Sequence, residues 1–197
     1  MAVERGASNT RIWVLDATPL WGFSSVNLID TLVSHAPGRL KVTPVVYGEL
    51  RRRSGQRPFL QLALAAIDGG LIEKVAPTRA EQRLTLSLHS SLFLRAPRNG
   101  KDLGEAETIV VAGSRGWNAV IDEQKARNVL PLRYRGCDAY CTPQVMLALA
   151  LAGRLTMDEA HEKLQAMTRA PNFQHEFAGK SRAKWMAAPN YYGPVPF

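Results

Sequence analysis

Cysteine is scarce in this chain of 197 residues, which has only Cys137 and Cys141. Two thiols cannot staple a disulfide scaffold, and they lack the partner ligands of a zinc site, so both are read as reduced and structural. The four histidines, His35, His89, His161 and His175, show no ligand spacing and are read as structural or solvated. No apolar run approaches the roughly 20 residues that span a bilayer, and the opening MAVERGASN lacks the apolar core of a secretory signal. A cytoplasmic protein without a membrane partner is expected. A glycine-rich phosphate loop after the first strand-like run is also missing, which argues against a nucleotide-binding protein. No repeat of solenoid period is present. Acidic residues are outnumbered, 17 Asp and Glu against 25 Lys and Arg, and the net charge of +8 favours polyanionic or acidic partners.

The apolar residues that are present alternate between strand-like and helix-like patterns. Arg11 to Leu15 reads as a first strand ending at Asp16. Thr18 and Pro19 then open a helix whose apolar face, Leu20, Phe23, Val26, Ile29 and Val33, runs until Pro37 and Gly38. Leu40 to Val42 reads as a second strand, with Thr43 and Pro44 starting a helix that carries Glu49 about one and a half turns in. A helix over Phe59 to Ile67, an edge strand over Leu71 to Val75 and a helix from Thr78, boxed by Glu81, to Leu94 follow. Beyond the loop with Pro97, Asn99 and Gly100, a helix from Leu103 to Ala112 is predicted, with Asp102 and Glu105 as its capping box. Asn118 to Ile121 reads as a buried strand that delivers Asp122, and a helix follows to about Val129. A last short strand within Tyr134 to Cys141 leads to Thr142 and Pro143, which open a helix over Gln144 to Ala152, and a further helix runs from Thr156, boxed by Glu159, to Met167. Strands alternating with helices predict an α/β/α sandwich on a mainly parallel sheet, over residues 1–170, with an aromatic and basic tail at 171–197.

In such a sheet the strand ends share one edge, where ligands bind. Asp16 and Asp122 both end strands, and Glu49 and Glu105 sit on helices that can cover the same edge. Four converging carboxylates repel one another unless they take up protons or bind a hard cation such as Mg²⁺ or Mn²⁺. Each acid also has a plainer reading, as a turn, cap or surface residue. Glu107 competes with Glu105, because residues two apart on a helix point roughly 200° apart and cannot face one metal together. Arg51, Arg52, Arg53 and Arg57 follow Glu49; they suit either a phosphate backbone or the helix C-terminal dipole. Trp13, Phe23 and Tyr47 are expected in the core, and Tyr191, Tyr192 and Phe197 are candidates for docking a partner.

Four segments, VLDATPL at Val14 to Leu20, VTPVVYGEL at Val42 to Leu50, LGEAETIVVA at Leu103 to Ala112 and VIDEQKAR at Val120 to Arg127, together resemble the PIN-domain ribonucleases, particularly the prokaryotic toxin-antitoxin branch. The resemblance spans about Arg11 to Met167. It implies a PIN-like three-layer fold and a metal site of Asp16, Glu49, Glu105 and Asp122, with the Thr18 hydroxyl supporting the first carboxylate. It further implies metal-assisted hydrolysis of RNA phosphodiester bonds, basic residues on the strand's phosphates, and an antitoxin protein as a partner, with homo-oligomers also allowed. The family segment often carries two aspartates where this chain has Asp122 and Glu123. The alternative is a PIN-like binding module without catalysis.

Overall fold

The computed structural model describes residues 11–92, 102–170, 173, 175 and 177–187. The loop with Pro97, Asn99 and Gly100, and the aromatics Tyr191, Tyr192 and Phe197, lie outside the described residues. In chain order the elements are β1 (Trp13–Leu15), α1 (Ala17–Ser25), α2 (Ile29–His35), β2 (Leu40–Val42), α3 (Pro44–Ser54), a 3₁₀ turn (Pro58–Leu60), α4 (Gln61–Asp68) and β3 (Glu73–Lys74). They continue with α5 (Arg79–Leu92), α6 (Leu103–Ser114), β4 (Asn118–Val120), α7 (Gln124–Arg133), β5 (Ala139–Tyr140), α8 (Thr142–Leu151), α9 (Met157–Met167) and α10 (Arg182–Met186). The five strands form one sheet in the order β3-β2-β1-β4-β5, and every pairing is parallel. A parallel sheet needs a covering layer on each face, and the strands' alternation supplies it. Trp13, Leu15, Leu40, Val42 and Val120 join the cluster formed with α1, α2, α3, α4, α8 and α9. Val14, Ala119 and Ile121 join the opposite cluster, with Leu88 of α5, Ile109 and Val110 of α6, and Ala126 and Leu130 of α7. Three layers result, as predicted.

Several local expectations are corrected. The helix predicted from Pro19 to Pro37 is two helices, because Asn27 takes a left-handed φ of 59°. There Leu28 N–H donates to Phe23 O (2.9 Å) and Asn27 N–H to Ser24 O (3.2 Å), the paired bonds that close a helix at a left-handed residue. The helix also starts earlier, with Asp16 rather than Thr18 at its N-cap. The box predicted for Asp102 and Glu105 does not form: Asp102 sits at φ 67° and makes no side-chain cap. The predicted boxes at Thr78 and Glu81 and at Thr156 and Glu159 do form.

Among the described residues beyond α9, three aromatics, Phe173, Phe177 and Trp185, pack into the core. Phe173 and Trp185 are almost wholly buried, and Trp185 Nε1–H donates to Pro143 O at 2.9 Å. Phe173 sits so close to α1 that a Cβ on Gly22 would lie 2.6 Å from its ring, so only glycine fits there. Among the described residues no helix is long and apolar enough to cross a membrane.

Candidate functional site

β1 lies between β2 and β4, so its carboxyl end opens where the connections part to opposite sides, the crevice in which open α/β sheets take ligands. Asp16 stands at that end, 3% exposed, its N–H bonded to Val120 O at 3.0 Å. Thr43 caps α3 through Val46 N–H, Pro44 occupies the first turn, and the helix carries Glu49 over the same edge. After the left-handed turn at Asp102, α6 packs against α3 and β1, with Gly104 facing Glu49 and Asp16. A Cβ on Gly104 would lie 3.1 Å from Glu49 Oε1, 3.3 Å from Val46 Cγ2 and 3.5 Å from Asp16 Oδ1. Glycine therefore leaves room for two carboxylates to meet above the helix start.

The electrostatics follow from this crowding. Burial pushes Asp16 up to about 7, opposed by the N–H of Ala17, with Glu49 and Asp122 adding repulsion. Burial also pushes Glu105 up to about 9, reinforced by Asp16, Asp102, Glu123 and Glu49. Glu49 is raised by burial and held back by Arg53 and Arg52. Glu105 Oε2 is buried and has no hydrogen-bond partner among the described residues. A buried acceptor left without a donor is costly, and a group of carboxylates that each favour the proton is relieved by a cation.

The remaining predicted residues divide. Asp122 is close enough to raise Asp16, while its two oxygens accept from Thr142: the backbone N–H reaches Oδ1 at 2.7 Å and the hydroxyl reaches Oδ2 at 2.8 Å. Glu107, 6% exposed, points away, its Oε2 accepting from Val45 N–H at 3.2 Å in the first turn of α3. Of the two glutamates on α6, Glu105 is thus the one beside Asp16. The backbone N–H of Thr18 favours the charged form of Asp16. Glu123 is the N-cap of α7, accepting from Ala126 N–H at 2.6 Å. Sequence reasoning missed Asp102 and Thr142, both read as helix-start residues, although each lies at the acidic edge.

The four arginines also separate. Arg51 and Arg52 line a cleft of about 640 Å³ with Pro44, Val45, Gly48, Glu49 and Leu103. Arg53 and Arg57 instead stack on Trp21, with guanidinium carbons 5.2 and 4.8 Å from its ring centre. His161 and His175 accompany backbone carbonyls of Lys180 and Leu164, away from the acids. Cys137 and Cys141 are free and buried.

Among the described residues no three His, Cys, Asp or Glu side chains form a group that could hold a metal ion as they stand. The donors nevertheless fit a divalent cation in kind. They are all carboxylates, as Mg²⁺ or Mn²⁺ prefers, one carries an orphaned buried oxygen, and Gly104 leaves space between two others.

A family model described as "DUF3368: PIN domain" matches residues 12–176. A solved structure, "Crystal structure of PAE2754 from Pyrobaculum aerophilum", is 15% identical, covers 72% of this chain and 98% of its own, and superposes with a TM-score of 0.48. No curated protein matches the sequence.

Proposed function

The chain belongs to the PIN-domain family, a membership that implies nuclease chemistry, and from that premise we propose a metal-dependent endoribonuclease working at the cleft between α3 and α6. Asp16, Glu49, Glu105 and Asp122 would hold the ion. Bound Mg²⁺ or Mn²⁺ supplies Lewis-acid polarisation of a phosphoryl group and an activated water. The protein's own part is to present a fixed negative cluster beside a positive rim. Arg51 and Arg52 line the cleft with Glu49, and on this reading they would bind the substrate's phosphates. Arg53 and Arg57, stacked on Trp21, add positive charge at longer range. The observation that carries this reading is Glu105 Oε2, buried without a partner in a cluster whose carboxylates repel one another.

The expected result is cleavage of single-stranded RNA that starts with Mn²⁺ or Mg²⁺ and stops with chelator. Asp16→Asn, Glu49→Gln, Glu105→Gln and Asp122→Asn should each lower the rate by more than the roughly 10- to 100-fold typical of residues that only support a ligand. Cleavage unchanged in Asp16→Asn would sink the assignment. Loss in Glu107→Gln with none in Glu105→Gln would transfer that role.

One observation favours a second reading, a binding module without catalysis: the ligand group is not closed, and both oxygens of Asp122 are engaged by Thr142. RNA bound but uncut at saturating Mn²⁺ selects it. The toxin role is carried on the nuclease reading. An antitoxin segment bearing a cation beside acidic residues would suit the negative cleft and its basic rim together.

A further inference from the structure

We propose that Thr142 is a positioning residue: it orients Asp122 toward the acidic cleft and thereby sets how tightly the cleft takes a divalent cation. The proposal rests on the metal reading above and deepens it. Thr142 is wholly buried and begins α8 directly after β5, the strand next to β4. It gives one donor to each oxygen of Asp122, at 2.7 and 2.8 Å. Two donors on two oxygens fix the carboxylate's rotation as well as its place. Asp122 stands near enough to Asp16 to raise its affinity for a proton, so the carboxylate held in this way belongs to the acidic edge.

Capping α8 is not the role of the Thr142 side chain. The cap is already made by Cys141 and Gln144, whose Oε1 accepts from Cys141 N–H at 2.8 Å. The Thr142 hydroxyl is spent on Asp122 instead, and the first-turn N–H beside it adds the partial positive charge of a ten-residue helix. Hydrogen bonds brace the backbone on both sides. Arg127, buried, donates to Asp122 O at 2.6 Å and Ile121 O at 3.3 Å, and Ile121 N–H bonds Tyr140 O at 2.8 Å. On α8, the indole N–H of Trp185 is bonded to Pro143 O, next to Thr142. Partners that orient a ligating carboxylate change metal affinity without touching the ion.

Calorimetric titration of the full chain with Mn²⁺ tests the proposal apart from cleavage. Thr142→Val, which keeps the shape and the backbone N–H but loses the hydroxyl, should weaken Mn²⁺ binding by about 10- to 100-fold. Thr142→Ser should stay within about threefold of the parent. Thr142→Val with Asp122→Asn should bind no more weakly than Asp122→Asn alone, because both act through one carboxylate. Should Thr142→Val fail to fold, Thr142→Ala makes the same comparison. Full Mn²⁺ affinity in Thr142→Val, with loss in Asp122→Asn, overturns the proposal and leaves the metal reading standing. Equal losses in the valine and serine variants also overturn it, since packing would then be the cause. No Mn²⁺ bound by the parent protein removes the metal reading and this proposal together.

Discussion

At the residue scale, the acidic edge depends on Gly104 having no side chain. In Gly104→Ala the new Cβ would meet Glu49 Oε1 at 3.1 Å and Val46 Cγ2 at 3.3 Å. The carboxylate is the end of a flexible side chain and can yield, while alanine gains up to about 1 kcal/mol over glycine in a helix. The melting temperature should therefore hold or rise as Mn²⁺ affinity falls about tenfold, a loss of about 1.4 kcal/mol. Calorimetry beside a thermal melt checks both signs, and a large drop in melting temperature with unchanged Mn²⁺ affinity would contradict this account. That Asp16 and Asp122 reach one edge was legible because both end neighbouring parallel strands, whereas helix phase alone left Glu105 and Glu107 open until Glu107 was seen bonded to Val45 N–H. Asp102 and Thr142 were not legible in the same way. A short polar residue at a helix start gives one sequence signal whether it turns to the helix backbone or to a neighbouring site. The left-handed backbone of Asp102 decides its case, and the competing Cys141 and Gln144 cap decides that of Thr142.

At the scale of elements, α5 and α6 are joined by Arg115, which grips Glu81 at 2.8 and 2.9 Å and also donates to Ala76 O at 2.9 Å. Hydrogen bonds from Arg115, aided by Thr78, hold Glu81 down at about 2, against an ordinary 4.5. The native state therefore binds fewer protons than the unfolded chain between those values. Its contribution is complete above about pH 4.5 and is lost as pH falls toward 2, an upper bound of about 3 kcal/mol for this buried group. Urea unfolding at pH 6 and pH 3 should show a smaller fall in Glu81→Gln than in the parent, and equal falls would contradict the linkage. The order of strands and helices was readable from periodicity, including the second strand to the residue. The break at Asn27 was not, since Val26, Ile29 and Val33 keep their helical spacing across it while one left-handed residue redirects the chain. The edge strand β3 is only two residues long and both are exposed, so composition could not bound it.

At the scale of the whole molecule, a chain of net charge +8 concentrates repelling carboxylates at one crevice and sets arginines along its rim. That contrast suits a polyanion drawn in by the surface and a cation held beneath it. Composition marked the segment beyond α9 as distinct, but the docking of Phe173 and Trp185 onto the domain depends on space that only the folded α1, α8 and α9 create. An anomalous-difference map from crystals of the full chain soaked in Mn²⁺ tests the central claim most directly. The account predicts a peak among Asp16, Glu49, Glu105 and Asp122, at direct-ligand distance from their oxygens, with Asp122 still held by Thr142. A map with no peak at that edge, or with Mn²⁺ bound only elsewhere on the molecule, would contradict it.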